Sequence, residues 1–224
     1  MSTARTPRQV ARAETLRRIR VLALAQLAES GASELSLRAI ARELGMVSSA
    51  IYRYYASRDE LLTALIVEAY ADAAAAVEAA GSTGSPRERW LAGAAALRAW
   101  ARAEPHRFAL VYGSAVPGYR APADTVEPAG RVVRAFAAPV VAASPQLAAA
   151  APGIATPLAG ELAAADEALA LDLDPAVTLW LVGAFARVVG LLTLELNGHF
   201  VGAFEPADAL FAATLDREAA ALDW

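Results

Sequence analysis

The 224 residues contain no cysteine and two histidines, which closes the thiol routes to covalent and metal chemistry and leaves few imidazole ones. Without a thiol there can be no disulfide framework, thiolate zinc site, iron–sulfur cluster or cysteine nucleophile. Glu195 and His199 stand four apart, as metal ligands on a helix would, but Asn197-Gly198 should end a helix between them and no third ligand is evident. His106, beside Pro105, has no nearby nucleophile and suits capping or packing. No catalytic set, cofactor or metal site is therefore expected; the alternative is an α-helical enzyme or metal-binding protein using Glu195 and His199. The groups that do cluster are Arg38, Arg42, Ser48, Ser49, Tyr52, Arg53, Tyr54 and Arg58. Guanidinium and hydroxyl groups so gathered suit hydrogen bonding to phosphate oxygens and base edges, with arginine able to pair bidentately with guanine.

Three short elements must position them. Ser36 can cap a helix in which Leu37, Ile40, Ala41 and Leu44 share one face while Arg38 and Arg42 share another. Gly45 stops it. After the turn Met46-Val47, a third helix is expected from Ser48 to Tyr55, and so tight a turn makes the two cross steeply. On a helical wheel Val47, Ile51 and Tyr55 pack against Leu37, Ile40 and Leu44, leaving Ser48, Ser49, Tyr52 and Arg53 outward. This is a helix-turn-helix pattern, whose second helix fits the major groove of B-form DNA. Arg53 would read bases; Arg38, Arg42 and Arg58 would touch flanking phosphates. A first helix is expected between the start signal Thr6-Pro7 and the stop Ser30-Gly31, with Leu16, Ile19, Ala23 and Leu27 on its inner stripe. Ser57-Arg58-Asp59-Glu60 forms a capping box leading into a long helix that runs on to Ala80.

The remaining chain also reads as helical. Its 59 alanines outweigh the β-branched residues, which favours closely packed helices and excludes an all-β fold. Gly81 to Pro86 is a turn or linker, and a fifth helix should span Pro86 to Glu104. Eight of the 12 prolines fall between 105 and 157, predicting short helices joined by bends there. Leu158 to Leu171, Pro175 to Asn197 and Pro206 to Asp223 complete the pattern. The fold class expected is thus all-α: a three-helix DNA-binding domain over 1–57 and a larger helical domain over 58–224, to which the candidate pocket and dimer helices named below give ligand-binding and dimerisation roles.

Charge divides the same way. Residues 1–60 hold 10 arginines against 6 acids and the rest 10 against 18, a basic head on an acidic body. No signal peptide is evident at the N-terminus, so the expected compartment is the cytoplasm. Ala176 to Leu194 is apolar enough to be mistaken for a membrane span, but it carries Arg187 and has no companion, so a buried helix and no membrane partner are expected. Two half-sites one turn of DNA apart, about 34–36 Å, call for a homodimer. Helices 175–197 and 206–223 are apolar enough to supply it, with Gly183 and Gly190 allowing close approach. Trp90, Trp100, Phe108, Tyr112, Tyr119, Trp180 and Phe185 are candidate walls for a hydrophobic or aromatic ligand.

The stretch Leu35-Ser-Leu-Arg-Ala-Ile-Ala-Arg-Glu-Leu-Gly-Met-Val-Ser-Ser-Ala-Ile-Tyr-Arg-Tyr-Tyr-Ala-Ser-Arg-Asp-Glu-Leu-Leu62 resembles the DNA-binding domain of the tetracycline-repressor (TetR) family of bacterial transcriptional regulators. The resemblance implies DNA contacts from Arg38, Ser48, Ser49, Tyr52, Arg53, Tyr54 and Arg58. It also implies an operator duplex, a small-molecule effector bound by the C-terminal region, and dimerisation through the last two long helices. Val47 stands where the family commonly has a capping Ser or Thr. Phe108 to Tyr119 and Leu194 to Phe200 are similar to the subgroup whose C-terminal portion is called the WHG domain. The function implied is a sequence-specific transcriptional regulator, a repressor released from its operator by a ligand.

Overall fold

The structure, a computed structural model, describes residues 6–143, 154 and 156–222. Among them are ten α-helices and two short 3-10 turns, with no strand. The helices are α1 (Pro7–Ser30), α2 (Leu37–Glu43), α3 (Ser48–Ile51), α4 (Arg58–Ala80), α5 (Pro86–Ala103), α6 (Pro105–Tyr112), α7 (Val126–Ala143), α8 (Thr156–Leu169), α9 (Pro175–Leu196) and α10 (Asp208–Ala219). The chain forms two compact units, one of residues 1–69 and 106–125, the other of 70–105 and 126–224. Helix α4 crosses from one to the other between Ala69 and Tyr70.

Side-chain caps open α1, α2, α4, α5 and α9. Thr6 Oγ1 accepts from Gln9 N while Gln9 Oε1 accepts from Thr6 N, a reciprocal capping box that opens α1 with Pro7 in its first turn. Ser85 and Glu88 repeat the device at α5. At α4, Ser57 Oγ accepts from Glu60 N, and the Glu60 carboxylate reaches back to Ala56 N instead of Ser57 N. The Gly31, Gly45 and Gly198 turns have positive φ, as expected from their places after α1, α2 and α9.

The first unit is built on Ile19, Ala23 and Leu27 of α1, Ile40 and Ala41 of α2, and Leu61, Leu62 and Leu65 of α4, all buried. In the second unit α5 carries the buried Trp90, Ala94 and Leu97, and α7 the buried Val132, Phe136 and Val140. Trp90 lies against Trp180 with ring centroids 5.4 Å apart, and Phe136 meets Phe185 edge-on at 5.4 Å. A nearly buried ion pair ties three helices of this unit. Arg98 donates two hydrogen bonds to Glu195, at 2.8 and 2.7 Å, and lies 2.6 Å from Asp208, with its guanidinium over the Phe211 ring.

Three sequence expectations change. The proline-rich middle contains an 18-residue helix, α7, besides short pieces: Pro128 sits in its first turn, where no N–H is needed, and the buried Pro139 lies inside it, sheltered by packing. Helix α9 is long and apolar enough to cross a membrane, but it is not a wholly buried helix. Val177, Leu181, Ala184, Val188 and Leu192 are buried, whereas Val182, Ala186, Gly190 and Leu194 form an exposed stripe at four-residue spacing; Val182 is 51% and Leu194 42% exposed. The last helix begins at Asp208, two residues after Pro206, and its expected end at Asp223 lies outside the described residues.

Candidate nucleic-acid interface

The turn between α2 and α3 is closed by backbone geometry. Gly45 has φ +68°, Met46 N donates to Ala41 O at 2.8 Å, and Gly45 N donates to Arg42 O at 3.1 Å, the paired bonds of a Schellman ending. Helix α3 is shorter than the expected Ser48–Tyr55. One α-turn, Ser48–Ile51, tightens into turns in which Arg53 N donates to Ala50 O and Tyr54 N to Ile51 O. The segment is therefore held largely by its anchors: Ile51 is fully buried and Tyr55 is 5% exposed.

Its outward side carries the predicted set. Ser48, Ser49, Tyr52 and Arg53 are exposed, as are Arg38 and Arg42 on α2. Val47 is a correction. The wheel puts it on the inner face with Ile51, yet it is 72% exposed, because as the cap residue it has extended backbone (φ −64°, ψ 138°) and points away from the helical stripe. It offers no side-chain hydrogen bond to the helix end.

Two predicted contacts are engaged within the fold. Arg58 Nη2 donates to Ala32 O at 2.7 Å and to Ser33 O at 3.3 Å, clasping the 3-10 turn Ala32–Glu34 ahead of α2. Tyr54 is half-buried, with the Arg12 guanidinium 5.0 Å from its ring centroid. Arg12 was not singled out by the sequence, since its partners lie 41 and 42 residues away; its Nη2 also donates to Arg53 O at 3.2 Å, supporting the carbonyl side of the recognition turn. Arg20 Nε donates to Tyr55 Oη at 3.1 Å, which holds its guanidinium above the ordinary arginine range, with a lesser contribution from Glu68.

The aromatic candidates for a ligand divide between the units. Phe108, Tyr112 and Tyr119 belong to the first, where Phe108 and Tyr112 are 5.2 Å apart and Tyr119 Oη shares a 2.9 Å hydrogen bond with Thr63 Oγ1. Trp100, Trp180 and Phe185 belong to the second, where each is half-buried and Trp180 Nε1 donates to Glu218 O at 3.2 Å. A cleft of about 430 Å³ in the first unit is lined instead by Leu27, Gly31, His106, Leu110, Ser114 and Val116, among others. Both Glu195 oxygens accept from Arg98 and His199 is exposed beyond the end of α9, so the two form no ligand pair.

Two helices meeting at a glycine turn, with a polar outward face on the second and a basic first helix behind it, define a helix-turn-helix regulator. Residues 19–65 match the model of bacterial regulatory proteins of the tetR family, and residues 90–217 that of the tetracyclin repressor-like C-terminal domain. The chain belongs to the tetR family. HTH-type transcriptional regulators of Mycobacterium bovis and Mycobacterium tuberculosis are each 41% identical to it over 210 residues, covering 86% of this chain and 85% of theirs. The crystal structure of the protein SCO4313 is 36% identical, with a TM-score of 0.78 over 95% of this chain and 98% of that one. A protein from Rhodococcus sp. RHA1 follows at 26% identity and a TM-score of 0.72, covering 94% and 96%. The protein is thus a transcriptional regulator with a DNA-binding helix-turn-helix, in a family whose members are not enzymes.

Proposed function

We propose that the protein binds one operator sequence as a homodimer, represses from it, and is released by a small hydrophobic or aromatic molecule. The observation that carries this is the outward face Ser48, Ser49, Tyr52 and Arg53 on a segment anchored from behind by Ile51 and Tyr55. Arg53 reads guanine in the major groove, the serines and Tyr52 reach bases or phosphates, and Arg38 fixes register on the backbone. Tyr54 contributes its hydroxyl at the edge of the contact, and Arg58 acts mainly by holding the turn before α2. Residues 1–57 serve as the DNA-binding module and 58–224 as the ligand-binding and dimerising body, at work in the cytoplasm.

The half-exposed apolar stripe of α9, together with α10, supports dimerisation through 175–197 and 206–223. The half-buried Trp100, Trp180 and Phe185 are the ligand wall we favour in the second unit. Ligand binding there shifts α4, and a molecule with different affinity for the two settings of that helix would change operator affinity. The deciding test is competition. The wild-type chain should keep a duplex selected from genomic fragments against a large excess of random DNA, and Arg53→Ala should lose about 1–3 kcal/mol on that duplex alone. An equal loss on every sequence would mean electrostatic attachment without reading.

A further inference from the structure

Arg20 on α1 faces two elements at once. Its Nε donates to Tyr55 Oη at 3.1 Å and its Nη1 donates to Glu68 Oε2 at 3.2 Å. Tyr55 ends the recognition turn, directly after Arg53 and Tyr54, and its ring is buried, so the turn cannot move without moving the hydroxyl that Arg20 holds. Glu68 lies near the middle of α4, one residue before the first unit ends. The fork of a guanidinium fixes both directions together, which a lysine ammonium would not do. With both side chains more than a third exposed, the Arg20–Glu68 pair adds little stability, so its geometry is the more telling property.

We propose that Arg20 is a positioning residue for operator recognition: a Glu68–Arg20–Tyr55 relay ties the setting of the recognition turn to the setting of α4, without Arg20 touching DNA. The proposal deepens the reading of the chain as a sequence-specific DNA binder and rests on it. Arg12 grips the same turn through Arg53 O and the Tyr54 ring, so α1 is the strut against which the turn is set, with Arg20 its one link to α4 in this relay.

The test compares the wild-type chain with Arg20→Met, Arg20→Lys, Glu68→Gln, Tyr55→Phe and the Arg20→Met/Glu68→Gln double variant. Each is titrated with the selected duplex and a random duplex over a range of salt, and backbone amide exchange is followed over residues 51–57 without DNA. Arg20→Met and Glu68→Gln should each weaken the selected duplex about tenfold, and the double variant should be no worse than either alone. Random-duplex affinity and its salt slope should stay unchanged, Arg20→Lys should fail to restore binding, and exchange over 51–57 should quicken in every variant. Tyr55→Phe removes a single hydroxyl and should repeat the loss even where Arg20→Met folds poorly. The relay is overturned by losses that multiply in the double variant, by full rescue with lysine, or by a salt slope reduced by about one, which would put Arg20 on a phosphate. Should the wild-type chain prefer no duplex, the sequence-specific reading fails, and the exchange rates alone still decide whether the relay exists.

Discussion

At the recognition turn, single side chains have roles that a helical wheel resolves only in part. Ser48, Ser49, Tyr52 and Arg53 are legible because helical period alone separates them from Ile51 and Tyr55. Val47 is not, since a cap residue has extended backbone and no place on the wheel. Its lack of a hydroxyl leaves room for gain: Val47→Ser should stabilise the chain by about 1 kcal/mol, read as a rise in Tm of a few degrees. Arg58 was equally opaque, because its carbonyl partners lie 25 and 26 residues upstream, beyond any spacing rule. Arg58→Ala should cost about 1–2 kcal/mol in chemical denaturation, reflecting lost charged hydrogen bonds to Ala32 and Ser33. A variant that leaves stability intact while reducing the salt slope of DNA binding would instead identify Arg58 as a phosphate contact.

At the scale of elements, capping chemistry made the helix starts readable, whereas interior packing did not show itself. Thr6-Pro7, Ser36, Ser57 and Pro86 all mark observed beginnings, and the Ser85 cap ahead of Pro86 appears only in the structure. The buried Pro139 misled, because a local rule cannot see the packing that shelters an interrupted helix. The α5 box gives a pH prediction. Hydrogen bonds from the Ser85 backbone, then from its hydroxyl, hold the Glu88 carboxyl below the ordinary glutamate range. A depressed folded-state value means that the stabilisation is present above the pKa of the unfolded glutamate and is lost as the pH falls through the folded one. Glu88→Gln should therefore flatten the acid limb of the Tm profile while lowering Tm at neutral pH. The Arg98–Glu195 pair is the costlier element-level bond, since both side chains are under a fifth exposed. Removing one charge, as in Arg98→Met, should cost about 2–4 kcal/mol, and pairing it with Glu195→Leu should recover much of the loss in a double-mutant cycle.

For the molecule as a whole, the exposed stripe Val182, Ala186, Gly190 and Leu194 sets an expectation about assembly. Leu194→Glu should yield monomers by sedimentation and abolish tight operator binding while leaving the helical content unchanged; a dimer that persists would move the interface elsewhere. The acidic body and basic head were visible from composition, but which residues join which compact unit was not. The chain leaves the first unit along α4 and supplies it again with residues 106–125, including Phe108 and Tyr119, whose hydroxyl bonds Thr63. A stop codon after α4 would thus deprive the first unit of twenty of its own residues. Anyone grafting this first unit whole onto a foreign sensor would need three junctions in the gene, after residues 69, 105 and 125.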